Sequence, residues 1–301
     1  MDKGRVRVGL TMVGSFIRAS HGVEPDQLEP GVDLQDQPAE HALDIGVLQW
    51  NLDAQLGVHR RFAVELLLPI RATIINATFR DRSGNVRDDF SSIHHRDETI
   101  SGLGDIVVGG RIGLVLPDDV PRWTLALRTG ASLPTGNTEP DPFVLGERGE
   151  THQHMFFGSG TVDPVFGLDT NIAFDRWSLV GWAVTRTPLY SNQYGYRRGH
   201  AFIGGVGAQS GFGLERWSFL IQPEWFFETP ARWRDTAARN SGRLSLLATG
   251  GIVFMPAPGW QVQLLAKIPY FTRAQGGQLR WPFVAMLGFN YTFDLAPPDA
   301  E

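Results

Sequence analysis

The chain has 301 residues, of which 42% are hydrophobic and 11% aromatic, and its formal net charge at pH 7 is −5. This acidic balance leaves no basic patch of the kind that binds nucleic acid, and the absence of cysteine excludes a disulfide framework, a thiolate metal site and a thiol nucleophile. No apolar run reaches the length of about 18 residues that a membrane-spanning helix requires.

The amino terminus has two interpretations. Lys3, Arg5 and Arg7 precede the apolar stretch 8–17, an arrangement that also begins a signal peptide. Glycine and hydroxyl residues interrupt the stretch, however, and its removal would leave an odd number of strands. We therefore interpret it as the first strand, and we expect the gene to encode a signal peptide upstream.

Alternation of apolar and polar residues is the main signal along the chain. From Leu48 to Val58, from Arg122 to Leu133 and from Trp281 to Phe293, every second residue is predominantly apolar. Successive side chains of a strand point to opposite faces, so one face suits lipid and the other suits water. This pattern predicts twelve antiparallel strands, at 5–19, 41–58, 62–79, 97–116, 122–134, 154–174, 177–191, 200–213, 217–228, 243–254, 260–273 and 280–293.

The connections distinguish a membrane barrel from a soluble sandwich, whose strands also alternate. Tight turns follow every second predicted strand, at 59–61, 117–121, 175–176, 214–216 and 255–259. Long polar connections follow most of the others, at 22–40, 81–96, 136–153 and 229–242. Short periplasmic turns and long extracellular loops are typical of an outer-membrane β-barrel. We predict a single up-and-down barrel over 1–293 in the bacterial outer membrane, with both termini in the periplasm.

An aromatic residue follows each tight turn, at Phe62, Trp123, Trp177, Trp217 and Trp260. Aromatic rings with one polar edge lie at the headgroup level of a membrane. The five residues therefore predict an aromatic girdle at the periplasmic boundary of the membrane, in contact with outer-membrane lipid.

The carboxyl terminus combines Gly288 with Tyr291 and Phe293, which resembles the signal that outer-membrane proteins present to their assembly machinery. Residues 294–301 follow this signal and contain two prolines. We interpret them as a short periplasmic tail. The expected partners are thus lipid and lipopolysaccharide, the assembly machinery and a small-molecule solute.

Charged residues predicted to face the lumen are the candidates for a function inside the barrel. Paired opposite charges would form a rigid plug, whereas segregated charges would line a water path, and the sequence leaves both alternatives open. Among them, Asp105 and Asp163 follow glycine-containing motifs and are the positions most expected to matter for the fold. The candidates are Asp53, Glu65, Arg71, Asp105, Arg111, Arg128, Asp163, Asp169, Glu224, Glu228 and Lys267.

Histidines collect at the predicted outer ends of the strands. His152 and His154 are two residues apart, so in an extended segment both imidazoles project to one side, and His94 and His95 lie in a neighbouring loop. Imidazole with carboxylate suits zinc, copper or nickel, which makes a divalent transition metal a possible ligand of these loops. Oxygen ligands would come from Asp97, Glu98 and Glu150. The alternative is that long loops simply collect polar residues.

A barrel-wall hydrolase is a further class. Ser159 follows His154 by five residues, but in a regular strand their side chains point oppositely, and no Gly-x-Ser-x-Gly elbow is present. We therefore do not expect an enzyme.

Three motifs carry a family resemblance: Gly-Leu-Gly-Asp-Ile at 102–106, Leu-Pro-Thr-Gly-Asn at 133–137 and Gly-Ser-Gly-Thr-Val-Asp-Pro at 158–164. They resemble the outer-membrane transporter-like barrels grouped as the MetA-pathway of phenol degradation family. The resemblance covers the chain from about residue 40 onward. It implies a barrel with a role in transport of a small hydrophobic or aromatic compound, and it carries no catalytic residues.

Two functions follow from these observations. The preferred one is an outer-membrane channel, with a polar path that bulky side chains at Gly109 or Gly113 would narrow. The other is binding of a metal or a partner protein by the extracellular loops above a plugged lumen.

Overall fold

The computed structural model describes residues 3–22, 33, 36–88, 90, 96–120, 122–238, 241–274 and 279–295, apart from the side chain of His21. The strands within these residues are β1 (Arg5–Gly22), β2 (Glu40–His59), β3 (Phe62–Arg80), β4 (Glu98–Leu103), β5 (Val107–Val115), β6 (Trp123–Ser132), β7 (Asp163–Ala173), β8 (Trp177–Arg186), β9 (Tyr196–Arg197), β10 (Ala201–Ser210), β11 (Trp217–Glu228), β12 (Arg232–Trp233), β13 (Thr236–Ala237), β14 (Arg243–Phe254), β15 (Trp260–Ala274) and β16 (Val284–Asp294). A short helix, α1 (Pro142–Glu147), lies between β6 and β7, and the described helical structure contains nothing long and apolar enough to cross a membrane.

The strands form a closed antiparallel wall. Its order is β1, β2, β3, then β4 and β5 in one position, then β6, β7, β8, β10, β11, β14, β15 and β16, which pairs again with β1. Counting β4 and β5 as two halves of one strand, the described chain has twelve wall positions. The predicted fold class is confirmed. β9, β12 and β13 form a separate small sheet in the loops.

The barrel closes where its first and last strands meet. Arg5 in β1 lies opposite Asp294 in β16, and their side chains form an ion pair of 3.0 Å. The backbone N–H of Gly4 donates to the carbonyl of Gly57, next to the tight turn between β2 and β3. The two ends of the barrel chain therefore lie at the same end of the barrel as this tight turn.

Neighbouring residues of the wall strands differ sharply in exposure. Phe16 is 46% exposed, whereas Ile17 beside it is 2% exposed, and Ile74 and Ile75 repeat the contrast on β3. The outward row is apolar over most strands, and in water such a surface would be unfavourable by about 25 cal/mol per Å². A hydrocarbon environment removes that cost.

The predicted fourth strand, 97–116, is wrong as a continuous element. It is divided into β4 and β5 at the residues Gly104, Asp105 and Ile106. The hydroxyl of Thr135 accepts a hydrogen bond from the N–H of Ile106 and donates to the carbonyl of Gly104. These bonds replace ladder hydrogen bonds, so the strand is interrupted where the loop after β6 contacts it.

Three other predicted strands are too long. The predicted strand 154–174 begins only at Asp163, the predicted strand 177–191 ends at Arg186, and the predicted strand 280–293 begins at Val284. In the first and third cases the missing part belongs to a connection that packs against the interior of the barrel, where Met155 and Trp281 contact buried isoleucines. We call the first of these connections, 133–162, the inward-folded loop. The longest of these connections, 133–162, includes α1, whose first turn is capped by the side chain of Asp141.

Candidate functional site in the lumen and outer mouth

The three sequence motifs meet at one place in the structure. The carboxylate of Asp105 accepts hydrogen bonds from the backbone N–H groups of Gly136, at 3.2 Å, and Ser159, at 2.9 Å. The backbones of Gly136 and Gly158 touch, and a Cβ added to Gly136 would lie 2.6 Å from the nitrogen of Gly158. Only glycines permit this close approach, so the glycines of the second and third motifs bring the two loop segments together.

Arg186 lies at the centre of this meeting point. Its guanidinium donates to Asp105 at 2.7 Å and to Asp163 at 2.9 Å, and both carboxylates are almost completely buried. The hydroxyl of Ser159 donates to Asp105 at 2.8 Å, and that of Thr161 donates to Asp163 at 2.6 Å. We call these five residues the polar latch, because they connect the interrupted strand position, the inward-folded loop, the start of β7 and the end of β8.

Arg186 was missed by the sequence analysis. The strand β8 pairs with β7, and Arg186 lies opposite Val165, two residues from Asp163. The available signal was that alternation puts Arg186 on the inward face at the end of its strand, close to Asp163, which was predicted to face the lumen. Arg71 lies close enough to Asp105 and Arg186 for electrostatic interaction, and it supplies a second positive charge beside the two buried carboxylates.

Below the polar latch, ion pairs join β7 to β6 and β5, and β6 to β3. Asp169 on β7 contacts Arg128 on β6 at 2.6 Å and Arg111 on β5 at 3.4 Å. Arg128 also approaches Glu65 on β3 at 4.0 Å, and Gln55 donates to Glu65 at 2.7 Å. The Asp169–Arg111 contact passes over β6 and the Arg128–Glu65 contact passes over β5, so these side chains project into the lumen.

A second network of ion pairs and hydrogen bonds lies in the lumen along β11, β14 and β15. Lys267 on β15 contacts Glu224 on β11 at 2.6 Å, and the hydroxyl of Thr249 on β14 donates to the same glutamate at 2.6 Å. Glu228, farther along β11, approaches Arg198 at 3.8 Å. Near the closing seam, an ion pair of 3.2 Å connects Arg7 with Asp53.

The structure thus brings the charged residues predicted for the lumen into three groups. Asp105, Arg71 and Asp163 lie at or beside the polar latch; Asp53, Glu65, Arg111, Arg128 and Asp169 lie along β2, β3, β5, β6 and β7; and Glu224, Glu228 and Lys267 lie along β11 and β15. Most carry an ion pair, which corresponds to the bonded arrangement among the alternatives that the sequence left open.

The end of the barrel opposite the tight turns, which we call the mouth, contains an inward-facing apolar cluster. Ile17, Ile45 and Ile75 occupy matching positions on β1, β2 and β3 and are buried. Met155 from the inward-folded loop and Trp281 from the segment before β16 pack against them. We call these five residues the mouth cluster.

An aromatic group lies farther out in the loops. Phe156 meets Tyr196 of β9 edge to face at 5.1 Å, and Tyr196 lies 4.8 Å from Trp233 of β12. Burial raises the pKa of the Tyr196 phenol to about 12. The loops above the barrel thus form a packed cover with an ordinary, uncharged tyrosine at its centre.

The histidines divide into two sets. His94 and His95 lie outside the described residues. In His152 and His154 the two Nε2 atoms are 3.1 Å apart. The predicted oxygen ligands bond elsewhere: Asp97 accepts from the N–H of Ala77, while the carboxylate of Glu98 contacts Arg96 and Gln153. Within the described part of the chain, no group of three potential metal-binding side chains occurs, and a metal site at these loops stays a prediction.

Phe62, Trp177, Trp217 and Trp260 are exposed where their strands leave the tight turns. Trp123, the fifth residue of the predicted girdle, donates its indole N–H to the hydroxyl of Thr170 at 3.0 Å. Beside Phe62, a cavity of 510 Å³ opens at the tight-turn end of the barrel.

A closed antiparallel wall with an apolar outer face, a charged lumen and inward-folded loops defines an outer-membrane β-barrel of the channel or transporter-like class. The comparisons with known proteins give the family. The chain belongs to the family described as "Putative MetA-pathway of phenol degradation", whose model matches residues 42–281.

The chain is also similar to solved structures. The COG4313 outer membrane channel from Pseudomonas putida F1 is 13% identical, with a TM-score of 0.61 and 97% of each chain covered. A FadL homologue from Pseudomonas aeruginosa is 11% identical, with a TM-score of 0.45, and covers 97% of this chain and 91% of its own. The P. putida toluene transporter TodX is 9% identical, with a TM-score of 0.44, and covers 98% and 91%. Only the first TM-score exceeds 0.5, and that likeness concerns the fold. A search of curated proteins found no match.

Proposed function

We propose that this outer-membrane barrel admits a small hydrophobic or aromatic solute through its outer mouth. The observation that carries the proposal is the mouth cluster. Barrel interiors that conduct water are polar, whereas here three isoleucines face inward at matching positions. An apolar site inside the mouth suits a solute that leaves water with a favourable free energy.

Met155 occupies this apolar site in the structure. Methionine is flexible and fills irregular gaps, so its side chain can withdraw at a lower cost than a branched or aromatic side chain. We propose that a solute binds the mouth cluster by replacing the side chain of Met155, while the polar latch holds the rest of the connection 133–162 in place.

The onward route is sideways through the wall. The ion pairs of Asp169 with Arg128 and Arg111 lie across the polar lumen, which is unfavourable for an uncharged solute. Within the described residues, β4 pairs with β3 alone, and the side chain of Phe157 covers Gly102 at the inner face of β4. This unpaired edge adjoins the mouth cluster through Ile100 and is the proposed exit toward the membrane.

The proposed orientation puts both termini in the periplasm, because they share one end of the barrel with the tight turn between β2 and β3. The exposed aliphatic and aromatic rows would contact outer-membrane lipid and lipopolysaccharide. The ending at Gly288, Tyr291 and Phe293 would be bound by the assembly machinery.

We propose no catalytic activity. The hydroxyl of Ser159 is buried and bonds with Asp105, Thr161 and Arg186 in the polar latch, so it has a structural partner set and not the histidine base that a hydrolase requires.

The test compares two methionines. Cells producing the chain would be given a labelled monoaromatic hydrocarbon, toluene, and its initial uptake measured against cells with an empty vector. We expect faster uptake with the chain, a further increase in Met155→Ala and a decrease in Met155→Glu, whose carboxylate is unfavourable in the mouth cluster. Met255→Ala and Met255→Glu, at an exposed tight turn, are the matched controls.

Uptake equal to that of the empty vector would overturn the proposed function. Equal effects at Met155 and Met255 would overturn the role of the mouth cluster while leaving transport in place. Single-channel current in a planar bilayer distinguishes passage along the lumen from exit through the wall. A steady, ion-conducting pore would contradict an exit through the wall above a lumen that ion pairs close.

A further inference from the structure

We propose that His152 and His154 form a binding site for one transition-metal ion at the outer mouth of the barrel. The site does not rest on the transport function. It rests on the geometry of the two imidazole rings and of the groups that hold them.

The separation of the two rings fits a shared metal. Their Nε2 atoms face each other at 3.1 Å, with ring centroids 4.9 Å apart. At metal–nitrogen bonds of about 2.0–2.1 Å and tetrahedral angles, two ligating nitrogens lie about 3.3 Å apart. Conversion of the hydrogen-bonded pair into a chelating pair therefore needs a few tenths of an ångström of separation and a turn of each ring by about 35°, so that both nitrogen lone pairs point at the metal.

A hydrogen bond fixes the tautomer of His152. Its Nδ1 lies 2.8 Å from the carbonyl oxygen of Glu150, which can only accept, so Nδ1 carries the proton and Nε2 is the basic nitrogen of the neutral ring. A backbone carbonyl bonded to the far nitrogen is the usual orienting partner of a metal-binding histidine. The proton between the two rings then belongs to Nε2 of His154. Metal binding requires that this proton move to Nδ1 of the same ring or leave to solvent.

Both rings are held in place before any metal arrives. His152 is buried, and the guanidinium of Arg96 donates to its backbone carbonyl at 3.3 Å. The ring of His154 packs edge to face against Phe143 of α1 at 5.5 Å. Such preorganisation lowers the entropy that binding must overcome.

The donor set indicates the class of metal. Two neutral imidazoles suit Cu²⁺, Zn²⁺ or Ni²⁺ and not the hard cations Ca²⁺ or Mg²⁺. Two imidazoles leave further coordination positions of such a metal to other ligands.

The test uses tag-free, detergent-purified protein and the metal alone. Zn²⁺ binding would be measured by calorimetry, and Cu²⁺ binding by electron paramagnetic resonance, which reports the number of coordinated nitrogens. We expect one ion per chain, a Cu²⁺ spectrum with two imidazole nitrogens, and binding that weakens as the pH is lowered from 7.5 to 5.5 because protons compete for the rings.

The variants are His152→Ala and His154→Gln, with His200→Ala as the control from another part of the outer mouth. We expect at least about a tenfold loss of affinity in each of the first two and no change in the control. Because His154 is exposed, its substitution should leave the barrel folded, which a heat-modifiability gel would verify. Unchanged affinity in His154→Gln, an equal loss in His200→Ala, or a Cu²⁺ spectrum without two imidazole nitrogens would each overturn the site. Uptake of toluene does not enter this test, so its outcome is independent of the proposed function.

Discussion

The tight-turn end and the outer mouth of this barrel use the same residue types in opposite ways. At the tight-turn end, Arg60 in the turn after β2 pairs with Asp118 in the turn after β5, and both side chains are more than half exposed. At the mouth, Arg186 pairs with Asp163, whose side chain is 0% exposed. An ion pair in water contributes little, whereas a buried carboxylate that loses its partner is strongly unfavourable. The comparison teaches that the charge pattern alone does not reveal which ion pairs hold the fold.

The two regions also differ in how they are built. The wall near the tight turns follows from alternation and from pairing between strands that are neighbours in sequence. The mouth depends on contacts between three separate motifs and on a loop that folds into the barrel. The following changes would break or sharpen this contrast, from the largest expected effect to the smallest.

Removing the central guanidinium of the polar latch should have the largest effect. In Arg186→Met, Asp105 and Asp163 remain buried without their shared cation, and we expect the free energy of unfolding to fall by about 3–5 kcal/mol. The matched control Arg60→Met should lose less than about 1 kcal/mol. Urea unfolding in lipid vesicles, followed by tryptophan fluorescence, measures both. Similar losses would contradict the distinction between the two ends.

A methyl group at the contact of the two loop segments should have the next largest effect. In Gly136→Ala, the new Cβ meets the backbone of Gly158, and we expect a loss of about 1–3 kcal/mol. In Gly250→Ala, the nearest atom is 4.0 Å from the new Cβ, so stability should stay within about 0.5 kcal/mol. The same unfolding assay applies, and an unaffected Gly136→Ala would mean that the motif contact is dispensable.

The lumen network of Lys267 should give an intermediate result. In Lys267→Met one buried carboxylate, that of Glu224, loses its cation, whereas Arg186→Met affects two, so we expect a smaller loss of about 1–2 kcal/mol. The lost positive charge should also shift any residual current toward cations, measured as a reversal potential in a salt gradient. Lys3→Met, at the exposed amino terminus, is the control. A loss as large as that of Arg186→Met would contradict this ranking.

The smallest effect should come from Asp119 in the turn between β5 and β6. Hydrogen bonds, first from the guanidinium of Arg61 at 2.7 Å and then from the N–H of Leu116, lower the pKa of its carboxyl below the usual value. The group therefore stabilises the folded state above the ordinary pKa of aspartate, and the contribution disappears as the pH falls through the lowered pKa.

We expect Asp119→Asn to lower the melting temperature slightly at pH 7, and we expect this difference to shrink as the pH falls through the lowered pKa of the carboxyl. Because the turn is exposed, salt should reduce even the neutral-pH difference. A difference that persists at low pH would show that the carboxylate charge is not the cause.

Much of the wall could be predicted because its signal is local. Leu48, Trp50 and Leu52 alternate with polar residues whatever the rest of the chain does, and the bends at 59–61 and 255–259 are short enough to be recognised directly. The prediction failed where the alternating pattern continued beyond the strand into a segment that contacts the barrel interior and does not pair with a neighbouring strand. The stretch 154–162 looks extended, but Met155 packs in the mouth cluster and Ser159 bonds to Asp105.

The candidate sites show the same division. The alternation of inward and outward residues was sufficient to predict that Asp163 and Lys267 face the lumen. It could not indicate that Asp163 shares Arg186 with Asp105, 58 residues earlier in the chain. Spacing was sufficient to put His152 and His154 on one side, but the orientation of His152 depends on the carbonyl of Glu150 and on local backbone geometry.

The sequence by itself determined the strand period, the short and long connections and the number of wall positions, because these depend on the two faces of a strand and on residues adjacent in the chain. Only the tertiary structure decided where the barrel wall is interrupted, which charges pair, and what fills the mouth. Those features depend on contacts between segments that are far apart in sequence, and their geometry exists only when the closed barrel brings the segments together.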